Sequence, residues 1–219
     1  MTPLERVQAA AGSLKIFPLP SAVLLPGAML PLHIFEGRYR AMVKDALETD
    51  RVLALGGLMP GWEEDYLGRP QMRPICCAGV IVWHEEAEEG RYNILVQGVS
   101  RARILRELGT EKLYRESAAQ LLVDPPYAGD EQQSVKTAVL ELATSLPEHM
   151  AQALVQQVAH AQGGELADFV ASVVVPDAER RRELLEQLQP KARLDAVLRD
   201  VSDLIARTRM ARPQSGPLN

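Results

Sequence analysis

The residues best suited to nucleophilic chemistry are two adjacent cysteines and four scattered histidines. Cys76 and Cys77 stand in an apolar run, where cysteine behaves as a small hydrophobic side chain. Neighbours in a strand point to opposite faces of the sheet, so we expect both cysteines to be structural strand residues without a disulfide framework. The histidines are spread over positions 33, 84, 149 and 160. We therefore predict no catalytic residues.

A metal site could be assembled from His33, Glu36 and His84. The first two have the HxxE spacing, but Pro31 lies just upstream and disfavours the helix on which they would share a face. The sequence also contains no GxxxxGK[ST], GxGxxG or GxSxG motif. We therefore predict neither a metal nor a cofactor. The glutamates at 85, 86, 88 and 89 flank a predicted turn and are interpreted as a solvated hairpin tip.

Composition narrows the classes of function. The chain has 219 residues, of which 47% are hydrophobic and 24% charged, as in globular proteins. A net charge of −5 and an aromatic content of 5% argue against nucleic-acid binding. No apolar run approaches a membrane span, and the amino terminus lacks the order of a signal peptide. With two cysteines and no disulfide framework, these features predict a cytoplasmic protein.

The first 124 residues are predicted to form a β-rich domain with one helix. After a short polar lead-in, residues 15–20 read as a strand that two prolines hold at a sheet edge. Residues 36–49 carry apolar side chains at helical spacing. Alternating or continuous apolar runs predict further strands at 51–57, 75–86, 91–97, 102–108 and 114–123.

The remainder is predicted to be a helical bundle. The segment DPPYAGDEQ at 124–132 is rich in proline and glycine and marks a break, after which the apolar period becomes helical. Four or five helices are expected, separated by Pro147, Gly163–Gly164, Pro176 and Pro190. The predicted domains are therefore residues 1–124 and 125–212, followed by a frayed tail at 213–219.

Two apolar stretches are candidates for a working surface. Pro26 and Pro31 interrupt the segment LPGAMLPLHIFEGRYR at 25–40, so its first part must be extended or turning. Residues 58–74 form a long loop without periodicity, and loops of this length are usually functional. The alternative is that the loop aromatics cover the core. The candidate protein-binding residues are Met29, Leu30, Leu32, Met59, Trp62, Tyr66 and Leu67, while Ile34, Phe35, Tyr39 and Met42 are predicted to be core.

Four pieces of the sequence, in this order, resemble the amino-terminal domain of Lon-type ATP-dependent proteases. They are FPLP at 17–20, LPGAMLPLHIFEGRYRAMV at 25–43, CAGVIV at 77–82 and GRYNILVQGVSRARI at 90–104. The resemblance implies an α+β fold: a β-rich pseudo-barrel of PUA-like type followed by a helical bundle. In that family the domain recognises unfolded or tagged protein substrates, and separate ATPase and Ser–Lys peptidase modules follow it. No matching catalytic motif occurs here, so we expect no enzymatic activity.

The resemblance predicts a non-catalytic module that binds unfolded or partner proteins, in cooperation with a separate protease or ATPase. Binding would use an open strand edge or a hydrophobic groove. Three alternatives remain open at this stage. One is a regulator that binds a small ligand between the two parts of the chain, and another is a scaffold as in cereblon-type relatives. The last, RNA binding, rests on fold analogy alone.

Overall fold

The computed structural model describes residues 1–65, 68–109 and 111–211 and divides the chain into two compact units. The first unit comprises residues 1–123 together with 176–186, and the second comprises residues 124–175 together with those from 187 onward. The predicted tail at 213–219 lies outside the described residues. The domain limits predicted from the sequence stay predictions.

The described residues form six strands that belong to one sheet. In chain order they are β1 (Leu14–Pro18), β2 (Met29–Ile34), β3 (Val52–Leu58), β4 (Met72–Ala87), β5 (Arg91–Glu107) and β6 (Arg115–Leu122). The sheet order is β2-β5-β4-β3-β1-β6, and β6 pairs with β5 as well. The last five strands in that order therefore close into a barrel, while β2 stays at the end. This confirms the predicted β-rich barrel-like fold.

The strand β5 changes partners along one of its edges. Its first part pairs with β2, from Tyr92 to Gln97, and its second part pairs with β6 from Arg101 on. Gly98 lies at the exchange, where its N–H donates to Ala28 O at 2.8 Å and its carbonyl accepts from Gly27 N at 2.9 Å. A Cβ atom on Gly98 would lie 2.2 Å from the Leu25 carbonyl oxygen. Only glycine fits this close approach of two backbones.

The first strand corrects one expectation. We predicted an edge strand around residues 15–20, but β1 pairs with β3 on one side and with β6 on the other, and all five of its residues are buried. The prolines are tolerated because they come late. The pairing with β6 involves only Leu14 to Ile16, and Pro18 is the last residue of the strand.

Seven helices occur in the described residues. They are α1 (Pro3–Ala10), α2 (Gly37–Glu48), α3 (Glu131–Ala143), α4 (Glu148–His160), α5 (Gly163–Val174), α6 (Ala178–Glu186) and α7 (Pro190–Ala211). The helix α2 and the carboxyl-terminal helical region were predicted and are confirmed. Tyr39, Met42, Val43 and Ala46 form the buried face of α2. None of the helices in the described part of the chain is long and apolar enough to cross a membrane.

The helix α1 occupies the region that we expected to be a polar lead-in. It begins with a capping box, in which Glu5 N donates to the Thr2 hydroxyl at 3.2 Å and Thr2 N donates to the Glu5 carboxylate at 2.8 Å. Val7 and Ala10 of this helix belong to a core cluster with residues of β1, β3, β4 and β5. The lead-in is thus part of the core, and a front domain with one helix becomes one with two.

Arginine side chains hold α6 to the barrel within the first unit. Arg101 on β5 is buried and donates from Nε to Leu185 O at 2.8 Å and from Nη2 to Leu184 O at 3.1 Å. These carbonyls lie in the last turn of α6, where a cation also interacts favourably with the helix dipole. Arg182 donates to Pro20 O at 2.8 Å. A helix that follows α5 in the sequence therefore packs with the strands of the first unit.

The second unit is organised around a buried cation. Arg193 on α7 is fully buried, lies in ion-pair contact with Asp124 and approaches the buried Asp168 on α5 at 3.5 Å. Its Nη1 donates to Gln187 O at 2.9 Å. A Cβ atom on Gly164 would overlap the Arg193–Asp124 pair. The glycine at the start of α5 therefore leaves the space in which the pair is buried.

Replacing Gly98 tests the partner exchange of β5. We expect Gly98→Ala to lower the free energy of unfolding by about 2–3 kcal/mol, because the added methyl group must displace a backbone carbonyl. Urea denaturation followed by circular dichroism measures the change. Gly12→Ala is the matched control, since a Cβ there meets nothing within 4 Å. Equal urea midpoints for Gly98→Ala and the parent would contradict this account of the exchange.

Candidate functional site

Three antiparallel strands, β2, β5 and β4, build the candidate site. In an antiparallel sheet, residues that lie directly opposite one another project from the same face. The register across the three strands therefore fixes two rows of side chains. Pro31, Leu95 and Trp83 form the apolar row, and His33, Asn93 and Glu85 form the polar row beside it.

The apolar row lies on an exposed face of the sheet. Trp83 is 51% exposed, and Met29, two residues before Pro31 on the same face, is 52% exposed. Phe35, just past the end of β2, is 62% exposed, and its ring stacks with that of His33 at 6.2 Å between centroids. Single exposed apolar residues are common on protein surfaces, whereas neighbouring ones mark binding surfaces. We call the face that carries the two rows, Met29 and Phe35 the exposed face.

The opposite face of the same strands is part of the core. Ile34, Ile94 and Val96 are almost completely buried there. Leu30 lies opposite Val96 and Leu32 opposite Ile94, and both leucines are half-buried. The alternation of β2 thus separates the predicted cluster, placing Met29 on the exposed face and the two leucines on the core side.

Three of the four core residues predicted from the end of β2 into α2 are confirmed. Ile34, Tyr39 and Met42 are buried. Phe35 was predicted to be buried and is exposed. It lies in the short connection between β2 and α2, so neither the strand nor the helix turns its side chain inward.

Hydrogen bonds fix the polar row. Asn93 Nδ2 donates to Glu85 Oε2 at 3.4 Å, which leaves its carbonyl oxygen to accept from His33 Nδ1 at 2.8 Å. The imidazole therefore carries its proton on Nδ1. The metal site considered for His33, Glu36 and His84 is not assembled, because His84 projects from the opposite face of β4. Over the described ranges, no three metal-ligating side chains come together.

The strand β2 leaves one edge open. It pairs with β5 on one side, and within the described part of the chain no strand pairs with its other side. Ala28 accepts a hydrogen bond from Gly98, so the alternation of antiparallel bonding directs the backbone groups of Met29, Pro31 and His33 to the open edge. Pro31 fits there because it has no N–H to donate.

The second predicted region lies elsewhere on the sheet. Leu58 ends β3 and Met72 begins β4, and the described residues between them include a short 3-10 helix at Trp62–Asp65. Met59 and Trp62 are half-buried there, and Tyr66 and Leu67 lie outside the described residues. Because the loop joins the first residue of β4 while Trp83 and Glu85 lie near its last, the two predicted regions are toward opposite ends of that strand.

Sequence reasoning missed two contributors to the exposed face, Trp83 and Leu95, whereas Pro31 lay within the proline-broken candidate stretch. One signal was available, since the apolar run ICCAGVIV changes to WHEE at Trp83. Such a change marks the point where a strand leaves the core. Which face Trp83 occupies could not be read from the sequence, because the pairing of β4 with β5 shifts between Ile81 and Trp83.

Comparison with known proteins matches most of this chain to one domain of one protein family. Residues 13–202 match the model of the ATP-dependent protease La (LON) substrate-binding domain. The Lon protease of Anaeromyxobacter dehalogenans is 29% identical over 193 residues, which cover 84% of this chain and 22% of that protein. Lon protease 2 of Myxococcus xanthus is 30% identical over 193 residues, covering 84% and 23%. The chain thus spans less than a quarter of the length of these curated relatives.

Solved structures show the same fold. The N-terminal domain of the Mycobacterium avium complex Lon protease superimposes with a TM-score of 0.70 at 16% identity, covering 87% of this chain and 98% of that one. The Lon N-terminal domain protein from Xanthomonas campestris gives 0.61 at 22% identity, covering 85% and 97%. These likenesses confirm the fold class that the sequence predicted.

The two cysteines lie away from any exposed surface. Both are completely buried, on adjacent positions of β4. Cys76 Sγ donates to Ala102 O at 3.4 Å, and burial raises the pKa of the Cys76 thiol to about 12. The thiolate is the reactive form, so a thiol with so high a pKa is inert at neutral pH.

Thiol labelling checks this assignment. At pH 8 we expect Ellman's reagent to leave Cys76 and Cys77 unmodified in the folded protein and to react with both in denaturant. Thr137→Cys, an exposed position on α3, provides a control thiol that should react at once. Rapid release of one chromophore per parent chain under native conditions would show that one of the buried cysteines is accessible.

Proposed function

This chain belongs to the family of Lon substrate-binding domains, and on that premise we propose that it binds unfolded segments of other proteins on the exposed face. The observation that carries the proposal is the apolar row beside an open strand edge. Pro31, Leu95 and Trp83 lie side by side on neighbouring strands, with Met29 two residues before Pro31 on β2 and Phe35 just past the end of β2. An unfolded segment can cover such a face, because it offers apolar side chains to the row and an extended backbone to the open edge.

Two physical interactions would contribute to binding. An extended segment that joins the open edge of β2 would form backbone hydrogen bonds, which do not depend on sequence. Its apolar side chains next to the edge would bury Met29, and a part of the segment that crosses the exposed face would bury Trp83 on β4. Buried aromatic anchors dominate the energetics of most interfaces. Together they suit a module that accepts many different partners. The loop residues Met59, Trp62, Tyr66 and Leu67 remain proposed as a second contact region.

The wider setting of this binding is also proposed. We expect partner proteins to be passed to a separate protease or ATPase, in keeping with the relatives, in which the matched region is under a quarter of a Lon protease. That the chain itself performs no catalysis, and that it works in the cytoplasm, stay predictions. The half-buried Leu30 and Leu32 would support the exposed face from the core side instead of contacting the partner.

Truncating Trp83 tests the exposed face. We expect Trp83→Ala to weaken binding of a reduced, carboxymethylated lactalbumin about tenfold, because a half-exposed indole supplies the largest apolar surface of the row. Fluorescence anisotropy of the labelled lactalbumin measures the dissociation constant. Met29→Ala should weaken binding by a smaller factor.

Two further variants locate the surface. Val173→Ala removes a side chain that is 58% exposed on α5 and should leave binding unchanged. Trp62→Ala tests the loop. If Trp62→Ala abolished binding while Trp83→Ala had no effect, the loop would be the binding surface and the proposal for the exposed face would be wrong. Urea midpoints equal to that of the parent show that each variant is folded.

A further inference from the structure

The charges around the exposed face specify which segments it selects. Building on the proposed function, we infer that it prefers extended segments in which an aromatic or aliphatic residue lies two positions from a lysine or arginine. The apolar row would contact the aromatic or aliphatic residue, and the carboxylate of Glu85 beside it would bind the lysine or arginine.

The polar row places a carboxylate directly beside the apolar row. Glu85 follows Trp83 by two residues on β4, so their side chains project from the same face about 7 Å apart. In an extended partner, residues two positions apart have the same spacing and also share a face. A partner segment that lies over the exposed face along β4, instead of beside the edge of β2, can therefore cover Trp83 with one residue while its next residue on that side reaches Glu85.

The carboxylate of Glu85 is positioned by one hydrogen bond and can accept others from a cation. Asn93 donates to only one of its two oxygens, and Asn93 is itself fixed by the hydrogen bond from His33. A carboxylate accepts about four hydrogen bonds, so most of its acceptor capacity faces outward. Bonds from ammonium or guanidinium groups to carboxylates are among the stronger hydrogen bonds in proteins.

The turn after β4 carries two more carboxylates together with two arginine side chains. Glu88 and Glu89 are exposed, and the one nearby ion pair joins Glu89 to Arg91 at 3.6 Å. Within the described part of the chain the carboxylate of Glu88 has no ion-pair partner. Arg40 approaches the turn and donates to the Glu89 backbone carbonyl. With Arg40 and Arg91 beside Glu88 and Glu89, two cations balance two carboxylates at the turn, so the charge that selects the partner is that of Glu85.

The same carboxylate opposes acidic segments. A partner with glutamate or aspartate beside its apolar residue would bring like charges together at Glu85, which is destabilising. The exposed face would thus discriminate between unfolded segments of equal hydrophobicity by their flanking charge. Backbone pairing with β2 alone could not provide this selectivity.

Binding of three end-blocked peptides to the full chain tests the inference. The peptides share the same apolar residues and the same neutral dye, and they differ only at one residue two positions from the apolar residue, which is lysine, glutamine or glutamate. At low ionic strength we expect the lysine peptide to bind about fivefold more tightly than the glutamine peptide, and the glutamate peptide to bind more weakly than either. The differences should shrink in 0.5 M salt, where screening shortens the reach of exposed charges.

Adjacent residues on β4 provide a matched pair of variants. Glu85→Gln removes the carboxylate from the exposed face and should abolish most of the advantage of the lysine peptide. Glu86→Gln makes the same chemical change on the opposite face of the strand and should preserve the advantage. The binding of the glutamine peptide should stay the same in both variants.

The outcomes separate the two proposals. Equal binding of all three peptides would overturn the charge preference and leave the proposed function standing. Tighter binding of the glutamate peptide, or equal losses from Glu85→Gln and Glu86→Gln, would overturn it as well. If none of the peptides bound while the parent chain was folded, the proposed function itself would fail.

Discussion

The exchange of partners along β5 is the constraint on which the first unit depends. A strand has two edges, and β4 occupies one edge of β5 over nearly its whole length. The other edge must pair with both β2 and β6. The strand β6 can therefore close the barrel only beyond Gln97, where the pairing of β5 with β2 stops. Gly98 allows the backbone near Leu25 to pass close to β5 at this point. The closed barrel and the open edge of β2 thus have one cause.

In this arrangement the strands β2, β5 and β4 have one buried face and one exposed face. The side that carries Ile34, Ile94 and Val96 is buried and supplies the apolar burial that holds these strands in the fold. The other side is therefore free to carry apolar residues that folding does not need. Trp83 and Met29 are half-exposed there without leaving a hole in the core. A binding surface can be maintained because the stability of the strands comes from their opposite face.

Local patterns predicted what local interactions determine, and long-range pairing decided the rest. The helical period from Tyr39 to Ala46 predicted α2, and the capping box of Thr2 and Glu5 would have predicted α1 had it been weighed. The central position of β1 depends on its pairing with β3 and β6. The sequence did not predict this pairing, because the prolines of the segment are typical of an edge strand. The candidate site was partly predicted through Met29. Trp83 was missed because its face depends on a register shift against β5, which no local pattern encodes.

An open edge beside exposed apolar residues carries the risk that two copies join edge to edge. Pro31 limits that risk, because the middle of the β2 edge has no N–H to donate and an added strand must leave one of its acceptors without a partner. Long, regular pairing at this edge is therefore weakened, whereas side-chain contacts across the face are not. Under the proposed function, the apolar row would supply most of the affinity for a foreign segment, and the edge would mainly set its orientation.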